Sequence, residues 1–395
     1  MASNIIGSCL PTDMITEILS MLPPKSLLRF KSVCRNWLAL ITSSHFISFH
    51  SQFRPKQSVF FTCLKEGQSR VSCCITSILP DGTSCRLGRD AGDGDGDMPS
   101  FIIHDLVGSS NGLICLLARS VYSTEEDYVL WNPATRQYRH LPASPLLARF
   151  SEKNGRHAFR IQVAGFGFHH GINDYKLFRI VQTPNATHAE VFTLSAGSWR
   201  EVDEAPIERA GECYFGHPIG PGVVVKGVWY HVGFEYSLHR EFDDDREETH
   251  EFDTEPKKNT WLILSFDMGN DTLSETVGAG QLPYQYFDPD ITRKLMVYKD
   301  SLAMSIYRKK ESCHEIWTLK STDETWTRLF IIPNIETVLG FWNDKEIIIR
   351  RGYNPNVSLV LLDPFTKRLR MLPQNDDVIY FRHAHTYVES LASIF

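Results

Sequence analysis

Leu130-Trp131-Asn132-Pro133-Ala134-Thr135-Arg136-Gln137-Tyr138-Arg139-His140-Leu141-Pro142 returns, altered but in register, as Leu361-Leu362-Asp363-Pro364-Phe365-Thr366-Lys367-Arg368-Leu369-Arg370-Met371-Leu372-Pro373. Both stretches read as a strand, an Asx-Pro turn, a basic residue, a second strand and a Leu-Pro stop. Asn or Asp followed by Pro suits a type I turn, because the ring presets φ and the short polar side chain hydrogen-bonds nearby backbone. Looser copies lie between them: Val191–Trp199, Leu264–Leu273 and Ile316–Trp326. The turn anchors Asn132, Thr193, Asp267, Thr318 and Asp363 are spaced by 61, 74, 51 and 45 residues. A further strand precedes most hairpins, at Asn111–Leu117, Lys226–Val232, Asp300–Ile306 and Asp344–Ile349. Three or four strands over about 45–60 residues suit a propeller blade. Five such units are countable. A sixth, assembled from Ser58–Leu64 and His385–Ser390, would close the ring and remove its open edges. A curled double sheet is the competing architecture.

The first 50 residues have a different period. Leu10, Met14, Ile15, Ile18, Leu19 and Leu22 recur at helical spacing, with Asp13 and Glu17 near the start and Pro23-Pro24 as the stop. A second helical segment follows, with Ser26 as its expected cap and Val33, Cys34, Trp37, Leu38 and Ile41 as its apolar face. A third starts near Ser43 or Ser44 and carries Phe46 and Phe49. Three short helices seldom bury enough surface to be stable alone. Either they dock on the body of their own chain, or a partner completes one face. Periodicity leaves both readings open.

Leu10-Pro11-x-Asp13, Glu17-Ile18-Leu19, Leu22-Pro23, Lys25 to Lys31, Val33-Cys34 and Trp37 resemble the F-box motif of plant F-box proteins. That resemblance implies docking to a Skp-type adaptor, and through it to cullin and RING subunits. The implied adaptor-facing positions are Leu10, Pro11, Ile15, Ile18, Leu22, Leu28, Val33, Cys34 and Trp37. The repeats resemble the kelch-like F-box-associated domain of the same proteins. The hallmarks are Asn111-Gly112-Leu113, Trp131 to Arg136, Gly165 to Phe168 with Asp174-Tyr175-Lys176, Val191 to Leu194 with Ser198-Trp199, Leu264 to Asp267, and Tyr387 to Leu391. Within the family the chain looks most like the S-locus F-box group of self-incompatibility, which implies an S-RNase-like client. The expectation is an α+β multidomain chain: a three-helix F-box over residues 1–50, then an all-β kelch-like β-propeller of about six blades over residues 51–395. The implied function is substrate recognition for a ubiquitin ligase, with no catalytic role of its own. A non-degradative module that pairs with the same adaptor is the alternative.

Composition agrees with a soluble, non-secreted protein. The chain has 395 residues, 42% of them hydrophobic, and a net charge of −6, which disfavours nucleic acid as a partner. Apolar runs are too short to span a bilayer, and the first residues do not read as a secretory signal. Nine cysteines, an odd number at irregular spacing, suit a reducing compartment, so a cytoplasmic or nuclear location is expected.

Motifs for other chemistry are weak. Gly108-Ser109-Ser110-Asn111-Gly112 fits a nucleophile elbow, but the text after it reads as a strand and not a helix. Asp93–Asp97 lacks the Gly and terminal carboxylate of a calcium loop. Cys73-Cys74 with Cys85, and His169-His170, lack metal-ligand spacing, so no metal or cofactor is expected. Trp131, Trp199, Trp261, Trp317 and Trp326 recur at repeat positions and read as core. The sequons at Asn185, Asn270 and Asn356 read as chance matches. Glu241–Glu255 stands apart, with nine carboxylates and one arginine. Either it is a solvated loop, or Asp243, Asp244, Asp245, Glu247, Glu248 and Glu251 form a negative arm that steers a basic client.

Overall fold

A computed structural model describes residues 11–53, 58–65, 71–78, 84–86, 101–120, 126–154, 160–183, 186–202, 213–214, 222–235, 261–275, 284, 288–320, 325–335, 337–342, 345–352, 357–372 and 378–395. Among these residues lie six antiparallel sheets, five of four strands and one of five. Blade one is Phe101–Ser110, Leu113–Ser120, Glu126–Asn132 and Gln137–His140, in that order from inside to outside. Blades two to five follow over residues 160–202, 213–275, 291–333 and 337–371. Blade six joins the two ends of the chain: its inner strand Val378–Tyr387 pairs with Ser58–Lys65, which leads on to Val71–Ile78 and Ser84–Arg86. The innermost strands touch blade to blade in a circle, and blade six returns to blade one. That closed ring is a six-bladed propeller and excludes the curled double sheet. The closing strand runs from Val378 and stops at Tyr387, so Val388–Ser390 do not belong to it.

Turn chemistry explains the blades. Asn111-Gly112, Lys226-Gly227 and Lys299-Asp300 each have positive φ at both residues and join directly paired strands. That is the primed hairpin turn, whose twist matches the strands it connects. The Asx anchors hold as expected at three places. Asn132 Oδ1 accepts from the N–H groups of Ala134 and Thr135 at 3.0 and 3.3 Å. Asp267 does the same for Gly269 and Asn270, and Asp363 for Phe365 and Thr366. Thr318 is not an anchor: it lies inside the strand Cys313–Lys320, where its hydroxyl donates to Leu302 O. One element falls outside the all-strand reading of residues beyond 58. Pro145–Asn154 is a helix between blades one and two, started by the Ser144 hydroxyl, which accepts from Leu147 N.

Apolar layers between neighbouring blades form the core. Phe178 of blade two stacks on Phe266 of blade three at 4.2 Å, with Trp229 beside them. Gly165 is required there, because a Cβ would lie 2.3 Å from the Trp229 ring. Trp131, Trp199, Trp261 and Trp326 are buried, as their repeat positions predict. The GxSxG text is a hairpin: Ser110 ends one strand, its Oγ accepts from Phe168 N, and Leu113 begins the next strand. His169 Nδ1 accepts from Ile172 N in a turn. Among the described residues no group of acidic, Cys and His side chains could hold a metal, and no helix is long and apolar enough to cross a membrane. The Asp93–Asp97 and Glu241–Glu255 segments lie outside the described residues.

Four helices, not three, make up the N-terminal unit: α1 (Thr12–Ser20), α2 (Pro24–Phe30), α3 (Arg35–Thr42) and α4 (Ser44–Phe53). The expected second helix is broken in two. Cys34 is extended, and its Sγ accepts from Trp37 N at 3.5 Å, so it caps a new helix. Ser26 is not a cap. Pro23 holds that place and Pro24 enters the first turn, where a missing N–H costs nothing.

Residues 388–395 join this unit to the propeller. Ser390, Ala392 and Ile394 face blade one. Asn132 Nδ2 donates to Ser390 O at 3.1 Å and to Ala392 O at 2.8 Å, and an Arg139 guanidinium nitrogen donates to Ile394 O at 3.1 Å. Gly112 admits the tail, since a Cβ there would lie 2.1 Å from Ser390. Leu391 points the other way. It packs with Leu19, Leu27, Ile41 and Phe46 in the core of the helical unit.

Candidate partner-binding face

The apolar positions of α1 form two stripes. Ile15, Leu19 and Leu22 turn inward and join the small core with Leu27, Ile41 and Phe46. Met14, Ile18 and Met21, spaced by four and then three residues, turn outward. With Val33 and Leu38 they are between 44% and 68% exposed. A run read as a single face therefore has one side filled and one open. The reading in which the helices dock on their own chain holds for the inner stripe, through Leu391, and the outer stripe has no cover among the described residues.

The scaffold behind the open stripe is braced. α4 packs on α1 and α3. His50 Nε2 donates to Leu22 O at 2.8 Å and fixes the corner between α1 and α2. Ser43 Oγ accepts from Phe46 N at 3.2 Å at the start of α4. Phe30 meets the Trp37 ring edge to face at 5.3 Å, which sets α2 against α3. Lys31, at the end of α2, has its ammonium pKa lowered by partial burial.

The expected adaptor-facing residues divide accordingly. Pro11, Ile18, Val33 and Cys34 are exposed. Ile15, Leu22, Leu28 and Trp37 are half-buried and pack against the small core, with part of each side chain still at the surface. Leu10 lies outside the described residues, as do Asp243, Asp244, Asp245, Glu247, Glu248 and Glu251 of the expected client arm. Met14, Met21 and Leu38 were missing from the expected set. The spacing of Met14, Ile18 and Met21 carried the signal, but their stripe was merged with its neighbour.

Two family matches cover most of the chain. Residues 8–49 match the F-box domain, and residues 93–394 match the F-box associated beta propeller domain. The chain is 23% identical over 367 residues to the F-box/kelch-repeat protein At3g23880 of Arabidopsis thaliana, covering 89% of this chain and 87% of that one. It is likewise 23% identical over 382 residues to the putative F-box protein At3g17490 of the same plant, covering 89% of this chain and 86% of that one. The two family matches cover most of the helical unit and most of the ring of blades, and the chain belongs to the F-box proteins that carry an F-box-associated β-propeller.

Proposed function

We propose that the chain is the substrate-recognition subunit of a Skp–cullin–F-box ubiquitin ligase, working in the cytoplasm or nucleus as a bridge and not as a catalyst. The open stripe of Met14, Ile18 and Met21, with Val33 and Leu38, is the observation that supports it most. An apolar surface beside an already filled core suits a constitutive protein partner. In this reading the adaptor covers the stripe together with Leu10 and the exposed parts of Pro11, Ile15, Leu22, Leu28, Cys34 and Trp37. The propeller holds a client, and transfer of ubiquitin is accelerated by holding acceptor and donor in one assembly. Bond making and breaking belong to other subunits. An S-RNase-like client is the narrower expectation. A match to the propeller family names no client, so that choice rests on the resemblance of the text alone.

The test is capture of a purified Skp adaptor by the full chain. Ile18→Glu with Val33→Glu should weaken capture by about a hundredfold, the size expected when two charges enter an apolar contact. Both sites are exposed, so unfolding of the propeller should stay within about 0.5 kcal/mol of the parent. Undiminished capture would remove this face from the adaptor contact. Client turnover with and without the chain then separates a degradative receptor from a silent module.

A further inference from the structure

The outer end of the seam between blades four and five carries an apolar surface that the fold does not explain. Phe365, in the last Asx-Pro turn, is 73% exposed, and on the strand after it Met371 is 61% and Leu369 46% exposed. Leu369 pairs with Leu362 and Met371 with Val360. Directly opposed residues of an antiparallel pair project to the same side. Leu362 and Val360 pack in the seam with Met296, Tyr298 and Phe341, so Leu369 and Met371 stand at its outer rim. Phe365 reaches across it, meeting the Phe330 ring of blade four edge to face at 5.2 Å.

The chain supplies its own control. Blade one carries the same hairpin with the same Asx turn. There the positions of Phe365, Leu369 and Met371 hold Ala134, Tyr138 and His140. A hairpin of this shape therefore needs neither the phenylalanine nor the methionine. The charge also differs. Lys367 and Arg368 are both exposed and form no ion pair among the described residues. Asp363 feels the charge of Lys367 but forms no ion pair with it, its oxygen accepting from the N–H groups of its own turn, and Glu346 pairs with Arg370 at 3.1 Å. Among the described residues the strand Leu369–Met371 is also the outermost of its blade and pairs with Ser358–Leu362 alone. No described residue pairs with its other edge, which could accept an added strand.

We propose that this rim docks an extended client segment in which apolar and acidic residues alternate. The apolar side chains lie on Phe365, Leu369 and Met371, and the carboxylates meet Lys367 and Arg368. The inference deepens the substrate-receptor reading and rests on it.

A fluorescent ten-residue peptide alternating Leu and Glu, and its counterpart with Lys for Glu, test the idea on the full chain bound to its adaptor. The acidic peptide should bind, and the lysine peptide should bind at least about tenfold more weakly. Phe365→Ala with Met371→Ala should reduce binding of the acidic peptide by about tenfold or more. Lys367→Glu with Arg368→Glu should reverse the preference. Equal binding of the two peptides, or an acidic-peptide affinity unmoved by both double variants, would overturn the proposal. So would self-association of the parent chain that Phe365→Ala abolishes, since a second copy would then be the occupant. Adaptor capture, measured on the same samples, should not change with any of these variants. Its failure in the parent chain would instead count against the substrate-receptor reading.

Discussion

Blade one and blade five hold two copies of one hairpin, and they serve different ends. In both, an Asx side chain and a proline set the turn. In blade one the other end of that side chain, Asn132 Nδ2, is buried and holds the carbonyls of Ser390 and Ala392. In blade five the anchor is Asp363, whose carboxylate has no N–H to offer, and Phe365, Leu369 and Met371 around it are exposed and apolar. The comparison shows that the turn fixes the backbone while leaving side chains free to specialise. Exchange of amide for carboxylate decides which copy can grip a tail.

Five substitutions would break or sharpen that contrast. The largest effect is expected from Leu391→Ala, which empties the tail's place in the helical core and should cost about 2–5 kcal/mol. Urea unfolding followed by helical circular dichroism reads it. An unchanged midpoint would mean that the tail does not support the helices. Asn132→Ala removes two bonds to tail carbonyls and one turn cap, and should cost about 2–3 kcal/mol. The same change at Asp363 should cost less, because only the turn is lost; equal costs would deny the tail its anchor. The smallest effect concerns pH. Hydrogen bonds from Thr366 and Phe365 hold the Asp363 carboxyl below its ordinary pKa. A lowered carboxylate pKa stabilises the fold above the unfolded value, about 3.9, and that share is lost as pH falls through the folded value. Asp363→Asn should therefore differ from the parent near neutrality and converge with it in acid. Asn132 has no such titration; Asn132→Asp would set a buried carboxylate against the Ser390 and Ala392 carbonyls, so that variant should lose stability as pH rises.

Much of this was legible in the text. The Asx-Pro copies gave the blades because a turn is a local matter, settled by four or five residues. The closing of the ring was legible because both chain ends read as strands that lacked partners. Two things were not. The break at Cys34 depends on a thiol acting as a cap, a use that propensity does not favour. The split of α1 into inner and outer stripes depends on Leu391, a residue at the far end of the chain. Periodicity can say that Met14, Ile15, Ile18 and Leu19 are all apolar. Only the packing of α4 and the tail says which of them is covered. The seam at blades four and five was hidden for a similar reason: Phe365, Leu369 and Met371 look like ordinary core letters until their neighbours are placed.

Leu391 has a consequence for biosynthesis. The helical unit is made before the propeller, yet its core lacks a side chain that is made some 370 residues after Leu19. Blade six imposes the same delay, since its second strand emerges early and its inner strand late. A half-made or prematurely stopped polypeptide therefore has a helical unit whose core is incomplete. The core of the helical unit is therefore complete only after the ring's closing strand, Val378–Tyr387, has been made.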